Sequence, residues 1–121
     1  MFTISKEFSF DAAYSLHYLP KDHPCTRLHG HTYTVIVELW SKGLNEAGFV
    51  KDYRELDEFK QWINDKLDHR NLNEVLPIRN PSAELIAKFI FDTWKHKLRE
   101  LHAITIKETP KTAARYEQAT D

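Results

Sequence analysis

Apolar and polar residues alternate over the first fourteen positions of the chain, which predicts a β-strand. The apolar positions of this run are Phe2, Ile4, Phe8, Phe10 and Ala12, and the alternation continues to Tyr14. A second alternating run extends from about His29 to Ser41. Because consecutive strands usually pair, we expect these two to be antiparallel neighbours.

Apolar residues recur every three or four positions in two later segments, which predicts two amphipathic helices. The first helix covers about Arg54 to Leu67, and the second starts after Ser82 with an apolar stripe that reaches Leu101. The tail predicts two further strands, 103–108 and about 114–119. The order of elements is therefore ββααββ.

This order predicts an α+β fold with a four-stranded antiparallel sheet and two helices on one face. A length of 121 residues is typical of one compact domain, so we expect a single domain over 1–121. The helices leave one sheet face and the sheet edges uncovered, which favours a homo-oligomer.

Composition excludes several classes of protein. The 17 Lys and Arg residues nearly balance the 18 Asp and Glu residues, so the chain lacks the positive charge of a nucleic-acid-binding module. One Cys excludes a disulfide-rich secreted scaffold, and no apolar run has the length of a membrane span. We expect a cytoplasmic protein without nucleic-acid or membrane partners.

Histidines are concentrated in one part of the chain, since four of the seven lie between His17 and His31. His29 and His31 are two positions apart on a predicted strand, so their side chains project to the same side and could hold one metal ion. Neutral imidazole suits zinc, and a catalytic zinc site uses three protein ligands. The alternative is a pair of surface histidines without metal.

Three further positions are candidates for chemistry. Cys25 is either a small buried side chain or, beside a metal or cations, a thiol of lowered pKa that acts as a base. Asp68 and His69 form either a proton-transfer pair or a favourable helix end. Glu108 is either a solvated strand end or a ligand anchor.

Taken together, these pieces resemble the 6-pyruvoyltetrahydropterin synthase family, and in particular its bacterial branch, 6-carboxytetrahydropterin synthase of queuosine biosynthesis. The matching segments are Phe10–Ala13, Cys25–His31, Leu67–His69 with Leu72-Asn73, Asn80–Glu84 and Lys107–Thr109. The resemblance covers nearly the whole chain. It implies the tunnelling fold, in which ββααββ subunits form trimers that close a barrel and stack as a hexamer.

The resemblance also implies roles for the candidate residues. Cys25 would be the thiolate that abstracts a proton, and Asp68 with His69 would relay a second proton from a neighbouring subunit. Glu108 would bind the pterin substrate. The implied reaction converts 7,8-dihydroneopterin triphosphate to 6-carboxy-5,6,7,8-tetrahydropterin and releases acetaldehyde and triphosphate. The alternative is triphosphate elimination to 6-pyruvoyltetrahydropterin.

The same resemblance implies that zinc binds to His29, His31 and a third histidine directly after Ala13. This chain has Tyr14 at that third position. Three possibilities follow: His17 reaches the metal as the third ligand, Tyr14 binds it as a phenolate, or the site keeps only two histidines and is weak. A weak site would suit a third function, that of a non-catalytic pterin-binding paralogue.

Overall fold

The computed structural model describes residues 1–119 and contains one five-stranded sheet with the strand order β3-β1-β2-β4-β5. The strands are β1 (Phe2–Tyr14), β2 (His29–Ser41), β3 (Arg70–Asn71), β4 (Leu101–Thr109) and β5 (Thr112–Glu117). The helices are α1 (Asp57–Lys66), α2 (Leu72–Val75) and α3 (Ala83–Trp94), with 3-10 turns at Pro24–Thr26 and Tyr53–Leu56. The last two residues of the predicted domain, 120–121, lie outside the described residues.

β1 and β2 form the centre of the sheet, and their antiparallel pairing runs without a break from Phe2 opposite Ser41 to Tyr14 opposite His29. The predicted strands and their pairing are therefore confirmed. Alternate residues of each strand are buried on the side that packs against the helices, as Phe10 and Tyr33 show by stacking with ring centroids 4.8 Å apart. The intervening residues of β1 and β2 are mostly polar and face away from the helices.

Both long helices bury one side against the sheet. The turn before α1 carries a capping box, in which Asp52 and Glu55 bond to each other's backbone N–H groups, and the Ser82 hydroxyl caps α3 by accepting from the Leu85 N–H. Phe59 of α1 lies 5.1 Å from Phe8 and 5.2 Å from Trp94, measured between ring centroids. The sheet and the two helices thus share one core.

The structure differs from the predicted elements in several places. A fifth strand, β3, pairs in parallel with β1 at Ala12 and Ala13. This strand forms because His69 adopts a left-handed backbone conformation (φ 59°) and its N–H donates to the carbonyl of Asp11 over 2.6 Å, which turns the chain towards β1. The strand contains two residues, too few to produce an alternating pattern.

The second difference concerns the end of α3, which stops at Trp94 and does not continue to Leu101. Leu98 is buried in the turn that follows, and Leu101 is buried as the first residue of β4. Their spacing therefore reflects burial in the core and not helical structure. Strand β5 begins at Thr112, two positions before its predicted start. In residues 1–119, none of the helices has the length and apolar character needed to cross a bilayer.

Candidate active site

A cluster of three aromatic rings lies where β1 ends and β2 begins. Tyr14 is paired with His29 in the sheet, and His31 is paired with Ala12 two positions earlier in β1. Because residues two apart on a strand share a face, all three side chains project to the helix-covered side. The Tyr14 ring centroid lies 4.5 Å from that of His29 and 5.7 Å from that of His31, and the two imidazoles are 5.2 Å apart.

The orientation of the His29 imidazole is fixed by the backbone. Its Nδ1 lies 2.6 Å from the carbonyl oxygen of Arg27. Since a carbonyl oxygen only accepts hydrogen bonds, Nδ1 carries a proton, which leaves Nε2 as the nitrogen that could bind a metal. A backbone carbonyl in this position is the usual way in which proteins orient a metal-binding imidazole.

The Tyr14 hydroxyl donates to the carboxylate of Glu108, at 3.2 Å from each oxygen. Tyr14 is only 3% exposed. Burial, followed by the negative charge of Glu108, raises the pKa of the Tyr14 phenol above its ordinary value, so the hydroxyl keeps its proton. Glu108 lies near the end of β4, and its carboxylate is 3.7 Å from Nε2 of His31.

Cys25 lies beside this cluster in the 3-10 turn that precedes β2. Its backbone N–H donates to Nδ1 of His23 over 3.1 Å, and its carbonyl accepts from the N–H of Leu16 over 2.7 Å. The side chain is a free thiol of intermediate exposure. Because Leu16 lies two positions after Tyr14, its bond to Cys25 holds this turn near the end of β1.

Sequence reasoning missed the role of Asn73 in holding this loop. The Asn73 side chain accepts from the Ser15 N–H over 2.8 Å and donates to the Ser15 carbonyl over 2.9 Å. The next residue, Leu16, bonds to Cys25, so the amide of Asn73 anchors the segment that positions the thiol. The only signal in the sequence was the presence of Asn73 in a segment shared with the family.

Sequence reasoning also missed Tyr33. This residue is fully buried on the same face of β2 as His29 and His31, and its hydroxyl has no hydrogen-bond partner in residues 1–119. Burial, with the charge of Glu108 as a smaller cause, raises the pKa of Tyr33. Tyr33 is two positions after His31, so the alternation of β2 was the signal that could have placed it on the same face as the imidazoles.

Asp68 and His69 form a hydrogen-bonded pair at the edge of the sheet. One carboxylate oxygen of Asp68 accepts from the N–H of Asp11 over 2.9 Å, and the other lies 2.8 Å from Nδ1 of His69. These contacts, first that of Asp11 and then that of His69, lower the pKa of Asp68. The hydrogen bond to Asp68 raises the pKa of His69, whose ring is 78% exposed. The imidazole is therefore held in one orientation while it remains open to solvent.

The His69 ring borders a groove of about 590 Å³ along the β1 edge of the sheet. Ala13, Gly30 and His31 also line this groove. Within residues 1–119, the lining of this groove does not include Tyr14, Cys25 or Glu108. Within residues 1–119, His31 is thus the member of the ring cluster that borders the groove beside His69, and the Cys25 thiol does not line it.

His17 does not join the two imidazoles. Its ring is exposed, with Nε2 3.4 Å from the hydroxyl of Ser15. Throughout residues 1–119, no three His, Cys, Asp or Glu side chains are arranged to hold a metal ion. The role of His17 as a third ligand beside His29 and His31 therefore stays a prediction. His29 and His31 are adjacent, but the third position is a protonated phenol that donates to Glu108.

The chain is similar to a group of pterin synthases. The family model described as 6-pyruvoyl tetrahydropterin synthase matches residues 3–119. A 6-carboxy-5,6,7,8-tetrahydropterin synthase from Synechocystis sp. is 39% identical over 96% of this chain and 93% of its own length. An enzyme of the same name from Haemophilus influenzae is 35% identical over 98% of this chain and 100% of its own. The solved structure of Caenorhabditis elegans 6-pyruvoyl tetrahydropterin synthase superposes with a TM-score of 0.86 at 28% identity, over 98% of this chain and 96% of that one.

Proposed function

The chain belongs to the 6-pyruvoyl tetrahydropterin synthase family, and from that premise we propose that it is a carbon–carbon lyase of the queuosine pathway. It converts 7,8-dihydroneopterin triphosphate to 6-carboxy-5,6,7,8-tetrahydropterin, with release of acetaldehyde and triphosphate. The observation that carries the proposal is the similarity, over nearly the whole chain, to two bacterial 6-carboxy-5,6,7,8-tetrahydropterin synthases. The ring cluster, the thiol and the Asp68–His69 pair support it.

The reaction balances without an external oxidant or reductant. The side-chain carbon next to the ring is oxidised to a carboxylate, with an oxygen atom from water. The electrons released by this oxidation reduce the pterin ring and the carbon that loses triphosphate. That carbon becomes the methyl group of acetaldehyde. The protein must therefore bind the pterin, remove protons and return them.

Glu108 is the residue we assign to pterin binding. A carboxylate can accept two parallel hydrogen bonds from the N–H groups of a 2-amino-pyrimidinone ring, and charge-assisted bonds of this type are strong. The Glu108 carboxylate is 21% exposed beside the ring cluster, so a ligand can reach it. Tyr14 holds it from the buried side.

Cys25 and His69 are the residues we assign to proton transfer. A thiolate at Cys25, next to the ring cluster, takes the proton from the substrate carbon adjacent to the pterin. The His69 ring, oriented by Asp68, delivers or removes the second proton at Nε2, because Nδ1 is bonded to Asp68. The raised pKa of His69 favours the protonated form that a general acid requires.

The zinc ion that the family implies fits this arrangement only in part. His29 and His31 are the imidazoles that would hold it, and the tautomer of His29 leaves Nε2 available. A catalytic zinc site uses three protein ligands, and neither Tyr14 nor His17 completes one among residues 1–119. The side chains therefore do not fit a closed zinc site, and the roles above are derived for the protein groups alone.

We further propose that the active enzyme is a homo-oligomer, a trimer or a hexamer, with each site at a subunit interface. His69 lines a groove that, within residues 1–119, Cys25 does not line, which supports an adjacent subunit as the source of the second proton-transfer group. Among residues 1–119, β3 pairs only with Ala12 and Ala13 of β1, and the edge of β1 that it leaves open favours association, as do exposed apolar residues such as Phe2 and Phe49. A cytoplasmic location suits a thiolate base, because the thiol must stay reduced.

Product analysis tests the proposed function. The purified chain is incubated with 7,8-dihydroneopterin triphosphate, and the pterin product is identified by mass. A product of the 6-carboxy mass supports the lyase. A 6-pyruvoyl product would show the second candidate, which is favoured by the close superposition on the C. elegans enzyme. Pterin binding without turnover would show the non-catalytic paralogue that the substitution at Tyr14 suggests.

A further inference from the structure

We propose that Tyr14 is a positioning residue for Glu108 and not a metal ligand, so that this chain has a two-imidazole metal site of low affinity. The inference rests on the proposed function in one respect, the assignment of Glu108 to the pterin. Its statement about metal affinity stands on the geometry of Tyr14, His29 and His31 alone.

The Tyr14 hydroxyl is directed at Glu108. The tyrosine meets the two imidazoles through its ring, at centroid distances of 4.5 and 5.7 Å. The hydroxyl lies 3.2 Å from both oxygens of Glu108, which is its hydrogen-bond partner within residues 1–119. The hydroxyl is therefore held by a carboxylate of β4, while the ring of Tyr14 packs against the imidazoles.

The Tyr14 side chain is closely packed among its neighbours. Tyr14 is 3% exposed, and its ring also lies 6.5 Å from that of buried Tyr33. A side chain packed on several sides has little freedom to turn its hydroxyl away from Glu108. The phenol therefore fixes the carboxylate at the open end of the cluster, where it faces His31 at 3.7 Å.

The consequence is a separation of two tasks. A histidine at this position would complete a three-imidazole site. Tyr14 does not bind the metal, and instead its hydroxyl holds the Glu108 carboxylate in position for the substrate. Its hydroxyl should therefore affect pterin binding and leave metal binding unchanged. Replacement of the whole side chain by histidine should have the opposite effect on the metal.

The test measures zinc affinity in the absence of substrate, with zinc alone as the probe and a chromophoric chelator as competitor. The proteins are the full-length wild type, Tyr14→Phe, which removes only the hydroxyl, and Tyr14→His. We expect Tyr14→Phe to bind zinc within about threefold of wild type, and Tyr14→His to bind it about 100-fold more tightly or better. His29→Ala in the Tyr14→His background should abolish that gain.

A tenfold or greater loss of zinc affinity in Tyr14→Phe would overturn the proposal, because the hydroxyl would then be a ligand. A folded Tyr14→His protein without tighter binding would also overturn it, because another group would already complete the site. If Tyr14→His does not fold, the near-isosteric Tyr14→Phe variant decides the question.

The pterin half of the proposal has its own readout. We expect Tyr14→Phe to raise KM by about tenfold and to change kcat little, as loss of a positioning hydrogen bond predicts. Equal KM values for both proteins would contradict this half. A wild type that forms no 6-carboxytetrahydropterin would remove the proposed function but leave the zinc measurements interpretable.

Discussion

The two regions that carry the proposed chemistry are built in different ways. The ring cluster of Tyr14, His29 and His31 is largely enclosed, and the register of β1 and β2 fixes its geometry over thirteen paired positions. The Asp68–His69 pair lies at the sheet edge, where hydrogen bonds between the two side chains and to the backbone of Asp11 hold an imidazole that is largely open to solvent. The cluster is thus built mainly from two central strands, whereas the pair presents an imidazole to solvent. This difference is one basis of our proposal that the pair acts on a substrate bound by another subunit.

The largest expected effect is a loss of activity without a loss of stability when His69 of the exposed pair is replaced. Asn tolerates the left-handed conformation of residue 69, so His69→Asn removes the imidazole without straining the backbone. We expect kcat for product formation to fall by about 10³-fold while the thermal midpoint stays nearly unchanged. His96→Asn, at an exposed histidine outside the site, is the matched control. A His69→Asn enzyme with normal kcat would show that the pair is only a helix end.

The next effect tests the support of the enclosed region. Asn73→Ala removes both hydrogen bonds to Ser15 and so frees the segment that holds Cys25. We expect the free energy of unfolding, measured with urea, to fall by about 2 kcal/mol, at about 1 kcal/mol per bond. We also expect kcat to fall about tenfold because the thiol is misplaced.

Asn64→Ala, at an exposed position of α1, controls for the loss of an amide. An Asn73→Ala protein as stable and as active as wild type would mean that the loop is held by other contacts.

The smallest effect is a shift in pH dependence at the exposed pair. The hydrogen bond to Asp68 raises the pKa of His69, so the protonated imidazole and its contribution to stability persist at lower pH and are lost as pH rises through the raised value. Activity that needs His69 as an acid should fall on the same rise. In Asp68→Asn the midpoint of that fall should move to lower pH, towards the ordinary value near 6.5.

NMR titration of the His69 ring in wild type and Asp68→Asn measures this shift directly. The ring pKa should be lower in the variant. An unchanged ring pKa would show that Asp68 does not control the protonation of His69.

Much of the fold follows from local patterns in the sequence, and parts of the site do not. The long alternation to Tyr14 and from His29 was enough to predict β1, β2 and their pairing. Sequence similarity to the family drew attention to Tyr14, but the partner of its hydroxyl lies 94 positions away, and no local pattern joins them. The contact between the Asn73 amide and Ser15 joins residues 58 positions apart, so no local pattern predicts it either.

His17 shows the limit of residue type as a guide. An imidazole is a better zinc ligand than a phenol, which is why the sequence favoured it. The direction of a side chain beyond the end of a strand depends on how the loop packs, and periodicity contains no information about that. The structure leaves the His17 ring exposed beside Ser15.

The central claim is that the enclosed cluster of one subunit and the exposed pair of another form one active site, and complementation tests it most directly. Cys25→Ala and His69→Asn chains, each inactive alone, are co-expressed and purified as mixed oligomers. Random assembly makes about a quarter of the interfaces carry both intact groups, so we predict about a quarter of the wild-type rate of acetaldehyde release. Mixed oligomers that stay inactive would contradict the claim and place both groups in one chain.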